Sequence, residues 1–182
     1  MTTLHDLAGE LRVSERTLRR AVADGTIRGS RPSVRRLTIS QGEREWVLRY
    51  WPMIARVRAA LRTEPSVRLA VLFGSSARGR EHGRSDLDVL LELDGASPGR
   101  LAALEERLTA VAGQDVQLVW LGDAQGSASL MAEVLRDGRV LVDRAGLWPR
   151  LKRRERRVAE AARRQDQELL AEALQPLDGT KR

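Results

Sequence analysis

Val71-Leu72-Phe73-Gly74-Ser75-Ser76-Ala77-Arg78-Gly79, followed by Gly83-Arg84-Ser85-Asp86-Leu87-Asp88-Val89-Leu90-Leu91, is the stretch whose reading decides the fold. The apolar run Val67 to Phe73, bounded by Pro65 and Gly74, is too short for a helix and reads as a buried strand. Gly74 stops it. The Ser-Ser-Ala-Arg that follows opens a helical turn whose unpaired N–H groups and hydroxyls suit an anion. A second strand is expected over Asp86 to Leu93, with acids at positions i and i+2, and residues so spaced on a strand share one face.

Two carboxylates held side by side repel each other, and a fold tolerates them when a cation stands between them. A hard divalent ion such as Mg2+ suits Asp86 and Asp88, with phosphate and water supplying the remaining oxygens. A phosphate cradle beside an acid pair is the equipment of phosphoryl or nucleotidyl transfer. A solvated edge strand after an ordinary turn would be the plainer explanation. Against it, the acids are interleaved with Leu87, Val89, Leu90 and Leu91, the composition of a half-buried strand.

Gly74-Ser75, a ten-residue spacer and Asp86-Leu87-Asp88-Val89 together resemble the signature of the DNA polymerase beta-type nucleotidyltransferases, especially their minimal one-domain branch. The preceding apolar strand, Ala77-Arg78-Gly79 and Ser85 are part of the likeness, which spans roughly residues 65 to 145. The resemblance implies a nucleoside triphosphate, ATP first among candidates, bound as its Mg2+ or Mn2+ complex. Gly74, Ser75, Ser76 and Arg78 would then bind the nucleotide, and Asp86 and Asp88 would hold the metals and serve catalysis.

The family also uses a third carboxylate on a later strand, and here the chain departs from the pattern. In Gly113-Gln114-Asp115-Val116-Gln117-Leu118-Val119-Trp120 the family's acid aligns best with Gln117, whose neutral amide is a poor metal ligand and no base. Asp115 lies two residues earlier, on the same face of the strand, and would complete a catalytic, metal-binding triad if the strand shifted or began there. Both alignments stay open on sequence alone.

The 182 residues allow one domain or two small ones, and 42% apolar residues are enough for a core. No stretch approaches the ~20 apolar residues of a membrane span and Met1 to His5 begin no signal peptide, so a soluble, cytoplasmic protein is expected with no membrane partner. Zero cysteines exclude disulfides and thiolate metal sites. The net charge of +7 is unevenly spread: residues 1–64 carry 13 basic and 7 acidic side chains, residues 65–145 carry 9 and 12, and residues 146–182 carry 10 and 6. An acidic middle suits a metal site, and basic ends suit acidic partners.

Leu4, Leu7, Ala8 and Leu11 space out a first amphipathic helix over residues 3–12. Ser14 is placed to cap a second running to Ala23, with Gly25 able to close it. Thr26-Ile27-Arg28 and Val34 to Ile39 flank a Gly-Ser-Arg-Pro-Ser turn, as in a hairpin. Residues 2–39 resemble the small winged helix-turn-helix of excisionase and MerR-type DNA-binding domains, on the strength of Arg-Thr-Leu-Arg-Arg followed by Asp-Gly-Thr-Ile. The resemblance implies DNA contact through Arg16, Arg19, Arg20, Arg31 and Arg35, although such modules also serve protein binding.

Ser40 and Glu43 predict a capping box, opening a helix to about Arg62 with Trp46, Tyr50, Met53, Val57 and Leu61 inward and a kink at Pro52. The junction is expected at residues 63–66. Beyond the acid pair, a helix over 99–112, a strand over 116–121, a helix over 127–136 and a strand over 140–142 complete a small α/β sheet. From Leu147 the chain reads as a basic helix, and from Pro176 as a disordered tail. The expected class is therefore α+β: a winged helix-turn-helix over 1–64, an α/β nucleotidyltransferase domain with a mixed sheet over 65–145, and a C-terminal basic helix over 146–182. The expected activity is transfer of a nucleoside monophosphate to a hydroxyl of a protein or tRNA acceptor, possible toxin–antitoxin chemistry. The rival is a DNA-binding regulator whose nucleotidyltransferase-like domain senses nucleotide.

Overall fold

The computed structural model describes residues 3–33, 36–80 and 86–173. Helix α1 (Leu4–Leu11) is capped by Thr3, whose hydroxyl accepts the Asp6 N–H while the Asp6 carboxylate returns to the Thr3 backbone. Helix α2 (Glu15–Asp24) starts at the Ser14 cap and stops at Gly25, which takes a left-handed conformation. The hairpin that follows is formed by β1 (Ser30–Ser33) and β2 (Arg36–Thr38). Its first strand thus begins inside the stretch the sequence marks as a turn. Arg35 lies outside the described residues.

Helix α3 (Gln41–Arg62) buries Trp46, Val47, Tyr50, Trp51, Ile54, Val57 and Leu61. Ser40 accepts the Glu43 N–H as a cap, but the Glu43 carboxylate does not turn back to complete the expected box. It accepts the Arg28 N–H and pairs with Arg139 instead.

The main sheet is built from β3 (Val67–Leu72), β4 (Leu87–Leu93), β5 (Val116–Trp120) and β6 (Arg139–Asp143), in the spatial order β5-β4-β3-β6. β3 is antiparallel to both its neighbours, and β4 and β5 are parallel. The chain covers the sheet with α4 (Gly74–Arg78), α5 (Pro98–Ala112), the four-residue α6 (Leu121–Ala124), α7 (Ala128–Asp137), α8 (Leu147–Lys152) and α9 (Glu155–Ala173). The break between α8 and α9 and the short α6 were not expected from the sequence.

Period-two alternation divides the sheet between two cores. Ala70, Leu72, Val89, Leu91 and Val116 join the cluster that includes α3, α5 and the N-terminal helices. Leu69, Val71, Phe73 and Leu90 join the cluster of Leu121, Met131, Val134 and Leu151. Asp88, two residues before Leu90, therefore lies on the face covered by α6, α7 and α8. Among the described residues no helix is long and apolar enough to cross a membrane.

Candidate active site

At the end of β3 the Phe73 N–H donates to the Asp88 carbonyl at 3.0 Å, tying the start of α4 to the acid strand. Gly74 has φ +72°, and a Cβ at that position would stand 2.1 Å from Asp88 Oδ2. Only glycine allows both the backbone angle and the approach. The chain of the cradle thereby lies directly against a carboxylate. Helix α4 closes at Gly79, also left-handed, whose N–H bonds to the carbonyls of Ser75 and Ser76.

Ser75 is half-buried and Ser76 fully buried, its hydroxyl donating to the Asp86 carbonyl at 3.4 Å. Ser76 thus braces the cradle against the acid loop. Arg78 reaches across to α7, where it pairs with Glu133 and, at 3.4 Å, with Asp137. Asp86 is exposed and Asp88 half-buried. Burial, and next the negative charges of Asp86 and Glu133, hold the Asp88 carboxyl above its ordinary value, with Arg78 opposing. A half-buried Asp88 carboxylate with Asp86 two residues earlier offers oxygen donors that fit a divalent cation. Glu133 is a member of this electrostatic group that the sequence did not mark. It sits mid-helix, 45 residues from Asp88, where nothing local distinguishes it from a solvated surface acid.

The parallel register pairs Leu87 with Val116 and Asp88 with Gln117, and the Leu87 N–H donates to the Asp115 carbonyl at 2.8 Å. Gln117 therefore stands next to Asp88. Asp115 precedes the strand, exposed, alongside Asp86. Among the described residues no three His, Asp or Glu side chains are close enough to share an ion. Asp88 lies within β4 and Asp86 just before it, and Asp115 is not gathered with them into a preformed cluster.

Behind the cradle, two side chains grip the carbonyls of α4. The Trp46 indole N–H donates to the Ser76 carbonyl at 2.8 Å, and Arg139 Nε donates to the Ala77 carbonyl at 2.7 Å. Arg139, 2% exposed, also stacks 3.6 Å above the Trp46 ring and forms a two-pronged ion pair with Glu43, 6% exposed. Burial pushes its guanidinium pKa down, and Glu43 draws it back up. Trp46 and Glu43 belong to α3 and Arg139 to β6, so the cradle is held from two separate segments.

The N-terminal arginines differ in their surroundings. Arg16 and Arg20 are exposed, and no acid among the described residues pairs with them. Arg19 pairs with Glu15 one turn earlier, which offsets its charge. Arg31 is placed on β1 by its backbone alone.

The family model of polymerase beta nucleotidyltransferases matches residues 56–146, half of the chain. The chain belongs to this family. Residues 1–55 lie outside the match. No curated protein matches the sequence. This nucleotidyltransferase is similar in fold to a chain of a toxin–antitoxin complex with AMP-PNP, at TM-score 0.55 and 22% identity over 66% of this chain and 98% of that one. It is similar to a chain of a mutant MntA–HpeT toxin–antitoxin, at TM-score 0.56 and 20% identity over 66% and 98%. It also resembles a chain of the complex between the tri-AMPylated Shewanella oneidensis HEPN toxin and the MNT antitoxin, at TM-score 0.53 and 19% identity over 68% and 98%. Identities this low establish the shared nucleotidyltransferase fold and no more.

Proposed function

We propose that this nucleotidyltransferase transfers a nucleoside monophosphate from a triphosphate, ATP by preference, to a hydroxyl of a protein acceptor. The observation that carries the reading is the contact of Gly74 with Asp88: a phosphate held by the backbone after β3 would lie against that carboxylate. In the reaction a bond forms between the acceptor oxygen and the α-phosphorus, the bond to the leaving pyrophosphate breaks, and the hydroxyl proton is released. Asp86 and Asp88 would hold a divalent ion, which supplies charge neutralisation at the phosphates.

The residues of the chain do the rest. Gly74 and Ser75 bring backbone N–H groups and a hydroxyl to the phosphates. Ser76, Trp46 and Arg139 keep α4 in place, and Arg78, held by Glu133 and Asp137, keeps α4 at a fixed distance from α7. Gln117 takes the position beside Asp88 by register, so we infer that the third-acid position is neutral and that turnover is slow. A protein acceptor is favoured over tRNA because chains of the same fold occur in toxin–antitoxin complexes, one with AMP-PNP and one with a tri-AMPylated toxin.

The test is incubation of the pure protein with α-labelled ATP, Mg2+ and a cell extract. Label should appear on a protein band with the wild type and disappear with Asp86→Ala and with Asp88→Ala. Equal labelling by the variants removes the roles assigned to the two acids.

A second reading, compatible with the first, is that residues 3–62 contact duplex DNA and make the protein an autoregulator. It is supported by two short helices and a hairpin that leave Arg16 and Arg20 unpartnered by any described acid. A gel shift on the protein's own promoter should weaken steeply with salt and weaken further in Arg20→Ala. An unchanged titration for that variant counts against DNA contact.

A further inference from the structure

Between α2 and the C-terminal half of α3 lies a pocket of about 270 Å³ whose walls carry Arg16, Arg20, Arg58 and Arg62 beside Trp51. The lining gathers four arginines, and among the described residues Asp24 is the acid that pairs with two of them. Asp24 bonds Arg58 at 2.7 Å and stands 3.8 Å from Arg62. Arg58 is fixed as well as buried: it is 5% exposed, and its Nε donates to the Leu141 carbonyl at 3.1 Å. Burial, and next the charge of Arg62, disfavour its protonated form.

The charge is sided. On α2, Arg19 pairs with Glu15 and is not part of the lining, while Arg16 and Arg20, four residues apart on one face and paired with no described acid, line it. A planar guanidinium presents donors in a fork that matches phosphate oxygens, and several of them around one small cavity favour a compact polyanion over a single carboxylate. The volume is below that of sites for drug-sized ligands, ~300–1,000 Å³, and the two arginines that α2 adds to the lining are exposed.

We propose that this pocket is a phosphate-binding site, made jointly by α2 and α3, that takes the backbone phosphates of a nucleic-acid duplex lying against α2. The assignment to a duplex rests on the DNA reading above; the site itself does not. It adds Arg58 and Arg62 of α3 to the arginines the sequence singles out.

The experiment uses the full chain in magnesium-free buffer containing EDTA. A fluorescent duplex is titrated over a salt series by anisotropy, and pyrophosphate is titrated by calorimetry, for wild type, Arg16→Gln, Arg62→Gln and Arg19→Gln. Arg62 is more than half exposed, and circular dichroism verifies that each variant is folded. The site predicts that Arg16→Gln and Arg62→Gln each weaken duplex binding at least about threefold and each reduce the salt slope by about one, with a smaller effect for Arg19→Gln. Saturable pyrophosphate uptake that is lost in Arg62→Gln, with no duplex binding, keeps the site, assigns it to free phosphates and ends the DNA reading. Strong duplex binding that neither Arg16→Gln nor Arg62→Gln alters overturns the site and leaves the DNA reading standing. Folded wild type that takes up neither ligand overturns the site.

Discussion

The Trp46 indole N–H donates to the carbonyl of Ser76 at 2.8 Å, so a helix from outside the catalytic sheet holds the segment that carries Gly74 and Ser75. Trp46→Phe removes the donor and keeps most of the ring on which Arg139 stacks. One hydrogen bond of this kind contributes about 0.5–1.5 kcal/mol. Since its acceptor is the cradle helix, the loss should fall on nucleotide binding, raising KM for the triphosphate roughly two- to tenfold with a smaller change in kcat. Steady-state kinetics over a range of ATP concentrations measure the split. A fall in melting temperature with unchanged KM would mean that the bond serves folding only.

Gly74→Ala should slow transfer about 100-fold while the protein stays folded. A methyl group there would stand 2.1 Å from Asp88 Oδ2, at a φ of +72° that alanine resists. Either the cradle or the carboxylate must move, and a displacement near 1 Å in a catalytic array costs on the order of 100-fold in rate. Labelling assays measure the loss, and tryptophan fluorescence verifies the fold.

Asp88→Asn should raise the melting temperature of the metal-free protein at neutral pH while removing activity. In the folded state the Asp88 carboxyl titrates above its ordinary value, first through burial and then through Asp86 and Glu133. The folded form consequently binds more protons than the unfolded form between the ordinary and the raised value, and stability falls as pH rises through that window. The variant lacks this penalty, so its advantage should narrow as pH falls through that window and be gone below the ordinary carboxylate range. Adding Mg2+ should stabilise the wild type and not the variant. Thermal melts at several pH values, with and without the ion, test all three statements.

Glu43→Gln should destabilise the protein by about 3–5 kcal/mol, because it leaves the Arg139 guanidinium buried without its counter-charge. Replacing both partners, as in Glu43→Gln with Arg139→Met, should recover much of that loss, since no uncompensated charge then remains. Denaturant unfolding of the two single variants and the double variant gives the coupling energy. The double variant should still show raised KM, because Arg139 Nε no longer holds the Ala77 carbonyl.

The parts of this molecule that rest on local spacing were legible in the sequence. Gly74, Asp86 and Asp88 could be grouped because a strand end, a positive-φ turn and an i, i+2 acid pair are each encoded within a few residues, and the Ser14 and Ser40 caps are local in the same way. What depends on distant partners was not. Glu43 carries the mark of a capping box, yet its carboxylate bonds Arg139, 96 residues away, because a buried guanidinium needs a counter-charge more than an exposed helix end needs a second cap. Glu133 looks like an ordinary surface charge, and Arg78 like a nucleotide ligand alone, until α7 is laid beside α4. The position of the third acid also waits on register, since a shift by one residue turns every side chain of a strand to its other face.

That register leads to a gain-of-function prediction. β4 and β5 pair Asp88 with Gln117, so Gln117→Asp would set a carboxylate next to Asp88 on the face that carries the acid pair. A neutral amide neither binds a hard cation well nor accepts the proton of an attacking hydroxyl, and an aspartate does both. Gln117→Asp should therefore raise kcat in Mg2+ about 100-fold or more, within the range of ~10²–10⁴ that a well-placed general base supplies. It should also lower metal-free stability, since it adds a third charge to a crowded site where the Asp88 carboxyl is already hard to ionise. Asp115→Asn is the companion variant: beginning before the strand and exposed beside Asp86, Asp115 should cost less than tenfold when neutralised. If Asp115→Asn abolishes labelling and Gln117→Asp leaves it unchanged, the strand slides in the nucleotide complex and Asp115 is the working acid.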